Sequence, residues 1–332
     1  MSSSELDQLK RLYENNLSEK INTNLSVLTD TIVESFGEEH REIITQRIQA
    51  MNILFYMDAK TIETAINSGK YAEEENVFYG ALLDDIRLTK LVISSDSEEN
   101  KKNNLNRKAK SLFRIVGNGQ LANYLNENFI DTVVDNERVS NVIKSTQNMS
   151  LLEFASDETR HHSLIVLPFL KVGDKTLIHE ILHLLGFNEK VGSLPKSGLV
   201  VPSSYSDNRI RKGITDIDEN YVERKAEEIA KKLEEKGVSI LPPAVYHEYS
   251  SYNSINGTLD GLFNRHDSLF ASATFSTDKD VLKETLGNEL LSKIGQEVYE
   301  LGSGSGYALL PGQAQKEKSD EFCEEVSRRI IH

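Results

Sequence analysis

The stretch Leu177-Ile178-His179-Glu180-Ile181-Leu182-His183-Leu184-Leu185-Gly186-Phe187 constrains this chain more than any other. Apart from two histidines and one glutamate, nearly every residue in it is Leu, Ile or Phe. A helix that is apolar on all sides is a buried one. On a helix, residues four apart lie one turn above each other on the same face. H-E-x-x-H therefore brings His179 and His183 together, with the Glu180 carboxylate beside them. Buried polar groups without partners cost roughly 2–7 kcal/mol each. One metal ion would satisfy the set, and a Zn2+ ion accepts imidazole nitrogens and carboxylate oxygens alike.

Composition narrows what such a metal can be held by. The 332 residues contain a single cysteine, Cys323. An internal disulfide is excluded, a reducing compartment is expected, and any metal must be held by His and carboxylates rather than thiolates. The net charge of -14 disfavours nucleic acid as a partner, because phosphate contacts need Lys and Arg. No apolar run is long enough to span a bilayer. The polar start, Met1-Ser2-Ser3-Ser4-Glu5, gives no Sec-type signal pattern, so a cytoplasmic location, or export into a host cytosol without such a signal, is expected. The oligomeric state is left open.

Along the chain, residues 5–50 show helical periodicity, followed by a short β-like run at Asn52–Met57 and further helices at Ala59–Ser68 and Val77–Ile93. Ser94 to Asn104 is polar and reads as a linker, and helical pattern resumes at Leu105–Val116. His40 reads as a surface residue. Ser163–Val172 is β-rich, with Pro168 suggesting an edge strand or a bulge. Such an edge would take up an extended peptide by strand addition and lay it across the metal. Asp174 is a plausible N-cap for the metal helix, and Gly186 a natural C-cap that allows a left-handed turn. A helix from about Asp218 to Lys236 follows, stopped by Pro242-Pro243. His161, His162, His247 and His266 read as polar loop or surface histidines.

A peptidase zinc needs three protein ligands and one open position. The motif resembles that of the metzincins, H-E-x-x-H-x-x-G-x-x-H, through His179, Glu180, His183 and Gly186, with Glu189 in place of the last His and no methionine after Met149. It also resembles gluzincins, whose third ligand comes from a later helix; Glu223-Arg224-Lys225-Ala226-Glu227 is similar to their E-x-x-A-E form. A longer likeness, over about residues 177–249, is to NleC-type bacterial effector metalloproteases, in which the corresponding positions are Glu189, the Glu223 helix and Tyr246. The rRNA-maturation endoribonucleases share only Leu182–Phe187 in part and lack Glu180. Glu189 is the favoured third ligand because it needs only a turn at Gly186, with Glu223, Tyr246 and His247 as the alternatives.

The expected fold class is α+β, mostly helical, with a small mixed sheet packed beside the H-E-x-x-H helix in zincin fashion. Residues 1–150 are expected to form a mostly helical N-terminal region and residues 151–332 a zincin-like region, or the two one continuous domain. The resemblances imply a zinc-dependent endopeptidase with one catalytic Zn2+ and a protein or peptide substrate. Glu180 would be the general base towards the attacking water and Tyr246 a stabiliser of the oxyanion. The competing expectation is a non-catalytic protein-interaction module in which the motif is accidental.

Overall fold

The computed structural model describes residues 3–94, 110–116, 149–155, 161–186, 188–191, 194–196, 198–199, 206–245, 259–276, 280–302 and 312–330. Helix α1 (Ser3–Phe36) opens the chain, and Gly37 ends it at φ 113°, a conformation that favours glycine. After a 3-10 turn come α2 (Arg41–Ala50), β1 (Met51–Asp58), α3 (Ala59–Ser68), α4 (Glu73–Ser94), β2 (Lys110–Val116), β3 (Met149–Ala155) and β4 (His161–Pro168). The metal-motif helix is α5 (Asp174–Gly186), followed by β5 (Asn188–Val191) and β6 (Leu194–Lys196). Four helices close the order: α6 (Asn208–Glu235), α7 (Asp260–Phe275), α8 (Val281–Gly302) and α9 (Gly312–Ile330).

The α+β class expected from the sequence is corrected to a helical one. Helix predominates and strands are a minor component of the described residues. The physical reason lies in the core. Among the described side chains, strands contribute only Met51, Ile53, Met57, Ile165 and Leu167 to the buried apolar set; the others belong to helices and turns. Where strands do pair, the ladder runs β2-β1-β4-β3, with β1 parallel to β4 and the outer pairs antiparallel. Its described partners are α3 on β1 and α4 on β2.

Two local expectations also change. Lys110–Val116 is a strand rather than part of a helix, and it pairs antiparallel with β1. β4 is neither an edge strand nor bulged by its proline. It lies between β1 and β3, Pro168 is its last residue, and the register shift falls at Ser150/Leu152 in β3. Peptide addition along β4 is therefore closed. The linker residues 95–104 lie outside the described part.

The chain divides into two compact units. One comprises Met1–Thr31, Thr45–Ile181 and Lys232–Glu248. Its aromatic centre stacks Tyr13 on Phe78 at 4.0 Å, with the Tyr13 and Tyr79 hydroxyls 3.0 Å apart and Tyr71 edge-on to Tyr79. Tyr71 donates its hydroxyl to the Pro243 carbonyl at 2.7 Å. The other unit comprises Ile32–Ile44, Leu182–Lys231 and Tyr249–His332. Here Tyr221 packs among Phe36, Phe263 and Phe270. Burial and the adjacent Asp267 carboxylate hold its phenol above the usual tyrosine range. His40, expected on the surface, stacks on Phe275 at 4.7 Å and is largely covered.

Within this second unit α6 and α8 meet through glycines. A Cβ at Gly213 would run into the Gly295 carbonyl oxygen, so Gly213→Ala must push two helix backbones apart. It is expected to destabilise the protein by about 1–3 kcal/mol. Gly80, inside α4, has open space where its Cβ would stand. Gly80→Ala is expected to be stabilising by about 0.4–1 kcal/mol. Thermal unfolding of the two variants should shift in opposite directions.

Candidate metal centre

The metal helix is held at its start by backbone contacts. Pro168–Lys171 forms a turn closed by a hydrogen bond from the Lys171 N–H to the Pro168 carbonyl. Buried Leu170 adopts φ 63° there, at a cost of roughly 1–2 kcal/mol for a residue with a Cβ. Its carbonyl accepts the Val245 N–H at 2.6 Å. Asp174, expected to cap α5, instead accepts the N–H groups of Ile240 and Leu241 at 2.9 and 2.7 Å. The segment after α6 is thereby fastened to the beginning of α5. From Leu177 to Gly186 every residue of α5 is buried, as its all-round apolar pattern requires.

α6 begins ten residues earlier than the apolar stripe suggested. Asp207 sets its start, accepting the Arg209 N–H at 2.7 Å. Gly237 ends it before the prolines do: at φ 66°, with Val238 N–H bonded to the Leu233 carbonyl and Gly237 N–H to Glu234, it forms a Schellman cap. Asp218, Glu219 and Glu223 all lie on this one long helix.

His179, His183 and Glu219 come together, their ligand atoms all within 4.8 Å of one another. His183 Nε2 lies 3.2 Å from Glu219 Oε2. Two atoms bound at roughly 2.0–2.1 Å to one tetrahedral ion stand about 3.3 Å apart, so this pair already has the spacing of two ligands. The other ring nitrogen, Nδ1, lies 3.7 Å from Asp218 Oδ2. His179 and Glu180 are 4 % and 8 % exposed, whereas the Glu219 side chain keeps 24 %. The site is thus apolar-walled on the α5 side and open on the Glu219 side. Two imidazoles and a carboxylate with one open side fit a borderline-soft divalent cation such as zinc.

Gly198 and Leu199 pack against Asp218. The Leu199 N–H donates to Asp218 Oδ1 at 2.9 Å, and Gly198, at φ 58°, leaves no space for a Cβ against the Asp218 carboxylate. A Cβ on Gly186 would approach Gly198 Cα to 2.8 Å. Gly186 is therefore the last residue of α5 and a close-packing point; it is absent from the left-handed glycines, and the turn expected there does not form.

The remaining expected residues fall as follows. Glu189 lies in β5, and its side chain is outside the described part. Glu223 is buried one turn beyond Glu219 on α6 but is not one of the three clustered residues. Tyr246 and His247 lie outside the described residues, and His161 and His162 stand in β4 with side chains outside them. His266 sits at a kink in α7, and its pKa is lowered by burial. Sequence reading missed Glu219. Its only signal is that it precedes Glu223 by four residues, so both share a face of the same helix.

Set against known proteins, the chain matches no family model, no curated protein and no solved structure.

Loss of a direct ligand should exceed the 10–100-fold in metal affinity typical of outer contacts. Glu219→Ala is accordingly expected to reduce Zn2+ affinity by more than about 100-fold, measured by competition with a chelating dye. Unchanged binding in that variant would remove Glu219 from the ligand set.

Proposed function

We propose that the protein is a zinc-dependent endopeptidase, with His179, His183 and Glu219 holding the ion. The observation that carries this reading is the convergence of three ligand groups at an H-E-x-x-H helix, on which the motif's glutamate is also buried. Zinc bound there would polarise a substrate carbonyl and lower the pKa of a water towards 7. Glu180 then accepts a proton from the attacking water and delivers it to the leaving amine, the role for which a carboxylate next to the first histidine is suited. Three ligands rather than four leave a position for substrate, and the partial exposure of Glu219 gives it a way in.

The substrate class in this reading is a protein or peptide, and nucleic acid is disfavoured by the charge of -14. Among the described residues no helix is long and apolar enough to cross a membrane. A cytosol, the cell's own or a host's, is the proposed place of action, in keeping with a single buried thiol at Cys323. The likeness to effector metalloproteases supports the host side of that alternative.

Glu180→Gln tests the assignment, since glutamine keeps the shape but cannot take the proton. The variant should retain its fold and a full equivalent of zinc by elemental analysis. Its cleavage of a denatured protein substrate should drop by about 10²–10⁴-fold. Activity within about tenfold of the parent protein would show that Glu180 is not the base.

A further inference from the structure

The His183 ring has a carboxylate at each nitrogen: Glu219 at 3.2 Å from Nε2 and Asp218 at 3.7 Å from Nδ1. These two acids differ in how firmly they are held. Glu219 is partly exposed, while the Asp218 side chain is 7 % exposed. Asp218 is gripped by the Leu199 N–H on its other oxygen and by Gly198 packed flat against it. A ligating histidine binds a metal through one nitrogen and must carry its proton on the other.

We infer that Asp218 is a positioning residue: it holds the His183 proton on Nδ1 and so keeps the Nε2 lone pair aimed at the side where Glu219 stands. This rests on the metal-site reading above. The Nδ1 to Oδ2 separation is longer than a hydrogen bond. A small rotation of the ring would bring it to hydrogen-bond distance. Nothing in the H-E-x-x-H motif supplies this function. It comes from a residue one position before the third ligand, on another helix.

The Leu199 N–H makes the inference testable, because it fixes which way an amide must face. In Asp218→Asn the side-chain oxygen stays on Leu199, and the NH2 group turns to His183 Nδ1. Two donors then oppose each other, and the ring is driven to carry its proton on Nε2, the wrong tautomer for the metal. Asp218→Ala removes the guidance but imposes nothing. Zn2+ affinity of the full chain should therefore fall in the order parent, Asp218→Ala, Asp218→Asn, with the asparagine variant about 10–100-fold below the parent. If Asp218 only anchored the segment at Leu199, the order of the variants would reverse, because asparagine keeps that hydrogen bond and alanine loses it. Equal affinities, or asparagine above alanine, overturn the inference. A parent protein that binds no Zn2+ overturns the metal site itself, and the inference with it.

A second measurement does not depend on either variant folding. Two-bond 1H–15N correlation spectra of the zinc-loaded parent protein should show His183 with a protonated Nδ1 and a metal-bound Nε2. Metal on Nδ1 would leave the site reading in place and overturn the role of Asp218.

Discussion

Two imidazoles and a carboxylate on a helix buried from Leu177 to Gly186 need polar partners, and α6 brings two carboxylates to the ring of His183. From Leu177 to Gly186 the other positions of α5 are buried and apolar. The Glu219 carboxylate from α6, at 3.2 Å, partners the His183 ring, and a cation held by the three ligand groups would satisfy the histidines together. The position and rotation of α6 follow from the same constraint. Asp218 and Glu219 meet His183 only if α6 presents that face to it.

That rotation is fixed within the second unit by a buried cation. Lys225 stands seven residues after Asp218, two turns further along the same face and about 10 Å away along the axis. Its ammonium donates to the Ser35 carbonyl at 2.7 Å and to Asp267 at 2.9 Å, and lies 5.1 Å from the Phe36 ring. Burying an ammonium group costs several kcal/mol unless it is paired and hydrogen-bonded, so only a narrow range of helix orientations is tolerated. Tyr221, one turn before it, reaches the same Asp267. The aromatic and ionic contacts of Tyr221 and Lys225 thus set which way Asp218 and Glu219 face.

The metal helix was legible in the sequence because its signal is local: spacing four, apolar on all other positions. Burial of α5 and the pairing of His179 with His183 follow from helix geometry alone. The third residue was not legible for the same reason. Glu189 was favoured on the strength of a left-handed turn at Gly186, and that glycine instead serves close packing against Gly198. Glu219 depends on the docking of a second helix across thirty-six residues, and periodicity does not encode docking. The strands show the complementary failure. Leu164, Ile165, Val166 and Leu167 do form β4, but helices take most of the described residues, so the class is helical.

The chain from α5 to α6 shows why the glycines stand where they do. After His183 the polypeptide must leave α5, form the β5–β6 hairpin, and return to α6 through a space bounded by the end of α5 and the Asp218 carboxylate. A side chain at position 186 would strike position 198, and one at 198 would strike Asp218. The gap is one backbone thick. The Leu199 N–H reaches into it and donates to the carboxylate. The orientation of Asp218, and through it the environment of His183, is therefore tied to the path of a short turn at residues 198–199. A shift of that turn moves a group facing a metal-site histidine, although neither Gly198 nor Leu199 belongs to the ligand set.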